Sequence, residues 1–210
     1  MKFIENNLKE FTDTAFSKSA APGGGGVSAM VGALGVALGG MVCNLTIGKK
    51  KYAEYEEDIN VIVKKLEVIK EDLLSQIDKD AENFLPLAKA YSLPTQTEDE
   101  RVHKDEVIQQ ATRVAMQAPV DIIRLSYDAI MLLDDLIIKG STLAVSDVGC
   151  AATFLDGAIR GAYLNVVINL NLITDKEYTV KLKNELETLV VDGTKECRKL
   201  YEKVLSRLEN

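Results

Sequence analysis

The sequence predicts an all-α protein, a single helical bundle domain over residues 1–210 with about seven helices, several of them long. Apolar residues recur at spacings of three and four, as on one face of a helix, rather than alternating as in a strand. No turn dipeptide such as Asn-Gly separates alternating runs, and no composition shift marks a linker. A chain of 210 residues can also bury a core without disulfides or a structural metal.

The first three helices are separated by a glycine-rich loop and a run of lysines. The loop, Ser19 to Gly26, leads into an apolar helix, which Lys49, Lys50 and Lys51 close before a long helix begins. Pro86 is expected to kink the long helix, because proline removes a backbone hydrogen bond. The expected bounds are about 2–17, 27–47 and 52–90.

Capping signals and a proline define the next two helices. Thr97 and Glu100 form a capping box that opens the fourth helix. Pro119 is expected to bend or break it, and the fifth helix continues to Lys139 before Gly140 ends it.

Polar caps are also expected to open the last two helices. Ser146 and Asp147 can cap a helix that runs to about residue 170, and Thr174 with Glu177 makes a second capping box for a final helix to about residue 208.

The second helix belongs to a segment without charge, residues 19–48. That segment is long enough to cross a bilayer, and the spacing of Gly35 and Gly39 matches a close contact between small residues of two helices. We expect a helix buried at the centre of the bundle or at a dimer interface, since the other helices have charged faces suited to water. A membrane span is the alternative.

Composition excludes several classes of function. With 25 basic against 32 acidic side chains and a net charge of −7, the chain does not have the basic face that a general nucleic-acid binder needs. Three cysteines, Cys43, Cys150 and Cys197, lie far apart and predict reduced thiols in a cytoplasmic protein. His103 is the one histidine, so the chain supplies few partners for a zinc site, and we expect no metal.

Asp80 is the sharpest local signal of a functional site. The third helix carries an apolar stripe, and Asp80 falls within it, three residues after Ile77 and four before Phe84. Burial raises the pKa of such a carboxyl unless partners offset it, which suits a general acid. A carboxylate that caps another helix or pairs with an arginine fits equally well, and Asp78 on the flank is a weaker candidate. The stripe comprises Ile59, Ile62, Leu66, Ile69, Leu73, Ile77 and Phe84.

Two other features favour an anionic or flat polar ligand. Pro22, Gly23, Gly24 and Gly25 precede a helix, where free backbone N–H groups can face an anion or a polar ring, although a tight loop is an equal alternative. The run Lys49–Lys51 can cap a helix C-terminus or attract an anionic substrate.

Two asparagine side chains lie one helical turn apart near the end of the sixth helix. Asn165 and Asn169 lie in an otherwise apolar run, and buried amides need partners. They are expected either to cross-link helices or to hold a polar ligand.

Together these stretches resemble the cyclodeaminase half of formiminotransferase-cyclodeaminase and its stand-alone bacterial relatives, including methenyltetrahydrofolate cyclohydrolases. Several separate motifs in one order, over nearly the whole chain, carry the resemblance. They are Ser19–Gly25, Gly32–Gly35, Met41–Val42, Gly48–Tyr52, Asp78–Phe84, Leu93–Pro94, Ser146–Asp147 and Gly161–Leu170.

The resemblance implies an all-helical homodimer without cofactor or metal, and a folate site in a cleft near the subunit interface. Asp80 matches the family's proton donor. The glycine run would pack against the pterin ring, Lys49–Lys51 would attract folate glutamates, and Asn165, Asn169 and Asp147 would line or brace the pocket. The reaction would be cyclodeamination of 5-formiminotetrahydrofolate to 5,10-methenyltetrahydrofolate, or hydrolysis of the latter to 10-formyltetrahydrofolate. A non-catalytic folate-binding protein is the alternative from another class.

The sequence departs from the family pattern at three positions. Gly26 replaces the usual serine, Thr95 the usual lysine, and Ser141-Thr142 follows Gly140 where Gly-Asn is common. These departures concern a hydroxyl, a charge and an amide near the expected polar site, so they bear on the substrate rather than on the fold.

Overall fold

The computed structural model describes residues 2–210, which form α-helices and short 3₁₀ turns joined by loops. The all-α prediction is therefore confirmed for this part of the chain. The helices are α1 Leu8–Phe16, α2 Gly24–Asn44, α3 Glu56–Ala90, α4 Glu98–Ala115, α5 Gln117–Lys139, α6 Val145–Leu170 and α7 Lys176–Glu209. The 3₁₀ turns are Phe3–Glu5, Lys50–Tyr55 and Thr142–Ala144.

Helix α2 packs antiparallel against α6 from Gly24 to Gly35, and α3 and α5 cover other sides of α2. Glycines permit this close approach: a Cβ at Gly35 would lie 3.0 Å from Leu155 Cγ and 3.1 Å from the Ala151 carbonyl oxygen. At Gly32 it would lie 3.3 Å from the Ala158 Cβ. The expectation of a central helix is confirmed, because most of α2 is buried among its neighbours.

The main core contains the apolar stripe of α3. Six of its residues are at most 9% exposed, and Phe84 packs against a smaller cluster between α3 and α4. Helix α3 continues through Pro86 to Ala90. The six are Ile59, Ile62, Leu66, Ile69, Leu73 and Ile77.

The first two helices begin differently from the prediction. The first is divided, because Asn7 forms a capping box with Glu10 and starts α1 at Leu8 after a separate 3₁₀ turn. Helix α2 starts at Gly24 rather than Val27, so three glycines expected in a loop form its first turn. Glycine's low helix propensity concealed this start in the sequence.

The predicted caps agree with the structure for α4 and not for α6 and α7. Thr97 and Glu100 form the expected box. Ser146 and Asp147 lie inside the first turn of α6, which follows the 3₁₀ turn Thr142–Ala144 without a side-chain cap. Helix α7 is capped by Asp175, which accepts the Tyr178 N–H, whereas Thr174 donates to the side-chain oxygen of Gln109.

The break between α4 and α5 falls at Met116, three residues before Pro119. Proline in the first turn of α5 costs no intrahelical hydrogen bond, because the N–H groups there have no helical acceptor.

Two segments, Gly24–Asn44 and Thr142–Leu170, are long and apolar enough to cross a membrane by length and composition. Their most apolar windows are 56% and 50% buried within the bundle. Core helices pass the same test, so the packing of α2 against α6 explains this composition without a bilayer.

Candidate functional site

A cavity of about 250 Å³ lies where the N-terminal end of α2 meets α3 and the C-terminal end of α6. Its polar groups come from these three helices, and its apolar wall comes mainly from α3, α4 and α5. It is lined by Ala20, Ala21, Gly23, Gly24, Asp80, Ala81, Phe84, Leu87, Tyr91, Ala115, Pro119, Asn165, Ile168, Asn169 and Leu172.

The carboxylate of Asp80 rests on the first turn of α2. The Gly26 N–H donates to Asp80 Oδ2 at 2.8 Å. A Cβ at Gly25 would lie 2.1 Å from Asp80 Oδ1, so no side chain fits at position 25. Asp80 therefore caps a neighbouring helix, as the structural alternative held, and the same carboxyl also lines the cavity.

Burial raises the pKa of Asp80 above its ordinary value, and the hydrogen bond from the Gly26 N–H partly opposes this increase. Desolvation is the larger effect. A carboxyl with a raised pKa retains its proton at a higher pH, which suits a general acid.

The two asparagine amides turn back onto their own helix. Asn165 Nδ2 donates to the Gly161 carbonyl at 2.9 Å, and Asn169 Nδ2 donates to the Asn165 carbonyl at 2.7 Å. They do not cross-link helices, and both line the cavity. Their side-chain oxygens remain available as acceptors for donors of a polar ligand.

Gly24 and Pro22 support the site in different ways. A Cβ at Gly24 would lie 3.0 Å from the Asn165 amide nitrogen, so this glycine keeps α2 close to the amide. Gly23 lines the cavity directly. Pro22 is buried behind the cavity, where its Cβ lies next to Gly26.

Aromatic and aliphatic side chains form the remaining wall, and the sequence reasoning missed most of them. Phe84 was assigned to the stripe of α3, but Tyr91 was not singled out although it follows Phe84 by seven residues, two helical turns on the same face. Pro119 and Ile168 were not identified because their contribution depends on how α5 and α6 pack against α3.

The structure does not bring the other predicted site residues to this cavity within one chain. Lys49, Lys50 and Lys51 follow the C-terminal end of α2, and Asp147 lies in the first turn of α6. Each helix exceeds 20 residues, which places these groups roughly 30 Å from Asp80 along the helix axes. Asp78 accepts a hydrogen bond from the Phe3 N–H and so holds the N-terminal segment on α3.

Within residues 2–210, no group of three or more His, Cys, Asp or Glu side chains is arranged to hold a metal ion. All three cysteines are free thiols, and Cys43 and Cys197 are buried. Burial raises the pKa of Cys43 to about 11 and that of Cys197 to about 12, so both remain protonated at neutral pH.

Comparisons with known proteins agree on one family. The family model described as formiminotransferase-cyclodeaminase matches residues 7–188. A methenyltetrahydrofolate cyclohydrolase of Methylorubrum extorquens is 35% identical over 96% of this chain and 97% of that protein. The formimidoyltransferase-cyclodeaminase of Rattus norvegicus is 30% identical over 90% of this chain, which spans about a third of that relative, 35% of its length.

A solved structure gives the same result. The crystal structure of formiminotetrahydrofolate cyclodeaminase from Thermotoga maritima superposes with a TM-score of 0.80, at 30% identity. The match covers 98% of this chain and 96% of that one, so the fold is shared over the whole bundle.

The contact between Asp80 and α2 predicts opposite effects for neighbouring glycines. Gly25→Ala should lower the free energy of unfolding by about 1–3 kcal/mol, because its Cβ must displace the carboxylate. Gly26→Ala is the matched control: its Cβ would lie 3.4 Å or more from all neighbours, and alanine favours the helix. Urea unfolding of both variants at one protein concentration is the measurement, and equal losses would contradict this packing.

The raised pKa of Asp80 also predicts how stability depends on pH. The folded state binds this proton more tightly than the unfolded state, so wild-type stability falls as pH rises from about 4 through the folded-state pKa. Asp80→Asn removes this effect and can still accept the Gly26 N–H. The variant should therefore gain stability relative to wild type towards neutral pH, measured by urea unfolding at several pH values.

Glu82→Gln is the control for that series, because Glu82 is exposed on the same helix and its replacement should give a curve parallel to wild type. If the free energy of unfolding of wild type instead falls relative to that of Asp80→Asn as the pH is lowered, the folded state binds the Asp80 proton less tightly than the unfolded state, and the prediction is contradicted.

Proposed function

Because the chain belongs to the formiminotransferase-cyclodeaminase family, we propose that it is a folate enzyme that forms or opens the one-carbon bridge between N5 and N10 of tetrahydrofolate. The reaction we put first is cyclodeamination of 5-formiminotetrahydrofolate to 5,10-methenyltetrahydrofolate and ammonia. The observation that carries the proposal is the partly buried carboxyl of Asp80, held on the first turn of α2 beside two amide side chains in one cavity.

The shape and polarity of the cavity support a bicyclic polar ring as the ligand. Phe84 and Tyr91 offer aromatic surface to one part of it, and the side-chain oxygens of Asn165 and Asn169 can accept hydrogen bonds from ring N–H groups. Flat rings with N–H donors at the edge, such as a reduced pterin, have this combination of surfaces.

In the proposed reaction, N10 attacks the formimino carbon on N5, and the proton of N10 passes to the formimino nitrogen. The tetrahedral carbon then carries N5, N10 and an amino group. Asp80 donates its proton to that amino nitrogen as the carbon–nitrogen bond breaks, so ammonia leaves and the methenyl cation forms. Asp80 is reprotonated from solvent. Attack is intramolecular, so the protein's further contribution is to hold the reactive conformer.

Hydrolysis of 5,10-methenyltetrahydrofolate to 10-formyltetrahydrofolate is the second candidate. The Methylorubrum cyclohydrolase favours it, because that relative matches this chain nearly end to end. Water would attack the methenyl carbon and lose one proton to solvent. Asp80 would protonate N5 as the bond from that carbon to N5 breaks, and the hydroxyl proton would leave to the Asp80 carboxylate as the formyl C=O forms, so that one proton is released overall. Both reactions pass through a tetrahedral carbon between N5 and N10, so the same carboxyl can serve either.

The proposal includes a cytoplasmic homodimer that requires no cofactor or metal. Exposed apolar side chains on α2 and α6 support self-association, since Leu34 is 48% and Leu164 is 70% exposed. Free thiols support a reducing compartment.

Two assays separate the candidate reactions. With 5-formiminotetrahydrofolate, a cyclodeaminase raises methenyltetrahydrofolate absorbance and releases ammonia in equal amounts. A cyclohydrolase instead consumes authentic methenyltetrahydrofolate faster than its spontaneous hydrolysis. Asp80→Asn should lower kcat by about 10²–10⁴ in the operative reaction, because a positioned general acid is lost. Wild-type protein that binds reduced folate without turnover would instead indicate a non-catalytic folate-binding protein.

A further inference from the structure

The carboxyl of Asp80 is partly withdrawn from water and has no cationic partner. Desolvation is the larger effect on its pKa, and no lysine, arginine or histidine among residues 2–210 contributes to it. Its hydrogen-bond donor is the Gly26 N–H, which brings only the partial positive charge of a helix N-terminus. A desolvated carboxylate is costly unless a cation accompanies it. The chain supplies no such cation, so a positively charged ligand would stabilise the ionised form of Asp80.

The rest of the cavity also lacks positive charge. Within the described chain, none of the lining residues is lysine, arginine or histidine. The amide nitrogens of Asn165 and Asn169 donate to carbonyl oxygens of their own helix, at 2.9 and 2.7 Å. These bonds fix the orientation of both amides and leave their side-chain oxygens as acceptors. One carboxyl and two amide carbonyls therefore border the same cavity.

Two aromatic rings add to the preference for a cation. Phe84 and Tyr91 line the cavity from α3 and from its C-terminal cap, and Tyr91 is 48% exposed. The face of an aromatic ring carries partial negative charge and attracts a cation placed over it. The wall thus offers further attraction to positive charge beside the three acceptors.

The ends of α3 and α6 differ in the charge of the group that caps them. Lys104 Nζ donates to the Tyr91 and Leu93 carbonyls at 2.7 and 3.1 Å, so a full positive charge lies at the end of α3. At the end of α6, the Leu172 carbonyl accepts the neutral amide of Gln109 at 2.7 Å. The partial negative charge at the end of α6 is therefore not neutralised by a cation, and it favours positive charge beside the last turn of that helix, which lines the cavity.

We propose that the cavity around Asp80 is a site for a planar, delocalised cation of the amidinium class, so that it binds the cationic methenyl form of the one-carbon bridge in preference to neutral folates.

The methenyl bridge is such a cation, because one carbon joins two nitrogens that share a single positive charge. In the cyclodeamination, proton transfer from Asp80 to the leaving amino group produces the carboxylate in the same step that produces the methenyl cation. Ammonia leaves neutral, so the total charge is unchanged and the two opposite charges appear together. Their attraction grows as the carbon–nitrogen bond breaks, which stabilises the transition state more than the neutral substrate. The identity of the cation rests on the proposed function.

The charge preference can be tested without a folate, with benzamidinium and benzamide as probes. The two molecules have the same planar shape, and only the first carries the positive charge. A cavity of about 250 Å³ has room for either, since one of ~150 Å³ holds benzene. Isothermal titration calorimetry of the wild-type protein near neutral pH should give an affinity for benzamidinium at least about tenfold higher than for benzamide.

Asp80→Asn should reduce that preference to about twofold or less, because the amide keeps the hydrogen bond from Gly26 and lacks the negative charge. Glu82→Gln is the matched control. It removes one negative charge from an exposed position on the same helix, so it measures the general attraction of an acidic protein for cations. This control should retain the wild-type preference.

Four results would overturn the proposal. They are equal affinities of the wild type for the two probes, no binding of benzamidinium at about 10 mM, an unchanged preference in Asp80→Asn, and the same loss of preference in both variants.

Benzamidinium should also expel the proton of Asp80. Burial raises the pKa of this carboxyl, so the free protein holds the proton to a higher pH than an exposed aspartate does. Binding should tighten as the pH rises towards a plateau above the folded-state pKa, and below that pKa it should release up to about one proton per site. Calorimetry in buffers of different ionisation enthalpy measures this release. A wild-type protein that takes up protons, or releases none at any pH, contradicts the site.

The comparison with Asp80→Asn isolates the contribution of this carboxyl to the pH dependence, because the variant should release no proton. Tyr91 is the other titratable group of the lining. The remaining charged groups on the segments around Asp80 lie outside the lining and are the same in both proteins: Lys18, Asp78, Lys79, Glu82 and Lys104.

The probe titrations and the folate assays fail independently. A wild-type protein that turns over neither folate but prefers benzamidinium refutes the proposed function and supports the amidinium site. A protein that turns over a folate without preferring benzamidinium refutes the amidinium site alone. In an active protein, 5,10-methenyltetrahydrofolate should displace benzamidinium at least about tenfold better than 5-formyltetrahydrofolate, whose one-carbon group is neutral. Equal or reversed displacement overturns the preference for the cationic bridge.

Discussion

The contact between the Asp80 carboxylate and the first turn of α2 is the constraint on which the site depends. It joins α3, which carries charged and apolar residues, to the uncharged helix α2, and Asp80 also lines the cavity. The surroundings of this contact also set the acidity of the carboxyl, because burial among these helices raises its pKa while the Gly26 N–H limits that increase. The position of the carboxyl is thus fixed by structure that also tunes its acidity.

The glycines and alanines of α2 follow from this constraint. For α3 and α6 to bring Asp80 and Asn165 to one end of α2, both must lie close to its backbone, and side chains at Gly24 and Gly25 would prevent this. The same requirement continues along the helix at Gly32 and Gly35. The small, uncharged residues of α2 therefore follow from this close packing. The same composition makes α2 long and apolar enough to meet the criteria for a membrane-spanning helix.

The sequence could predict those features that depend on the residue pattern of a single helix, and not those that depend on how helices pack together. The stripe of α3 identified Asp80 because helical periodicity alone places it among buried neighbours. The start of α2 was missed because the packing against Asp80 and Asn165, rather than propensity, holds three glycines in a helix. Asp175 replaced Thr174 as a cap because Gln109, distant in sequence, engages Thr174. Lys49, Lys50 and Lys51 were expected beside the other site residues because a sequence does not show which end of a long helix each motif occupies.

Position 26 shows how a single side chain can act on the acidity of Asp80. A Cβ at Gly26 would lie 3.7 Å from Asp80 Oδ2, so the hydroxyl of a serine at this position would come within hydrogen-bonding reach of the carboxylate. A hydroxyl that donates to the charged form lowers a carboxyl's pKa. Glycine at position 26 has no hydroxyl, so the hydrogen bond from its backbone N–H is the one that opposes the increase in the pKa of Asp80 caused by desolvation. A serine hydroxyl at position 26 would therefore lower the pKa of Asp80 further, whereas glycine leaves desolvation as the larger effect.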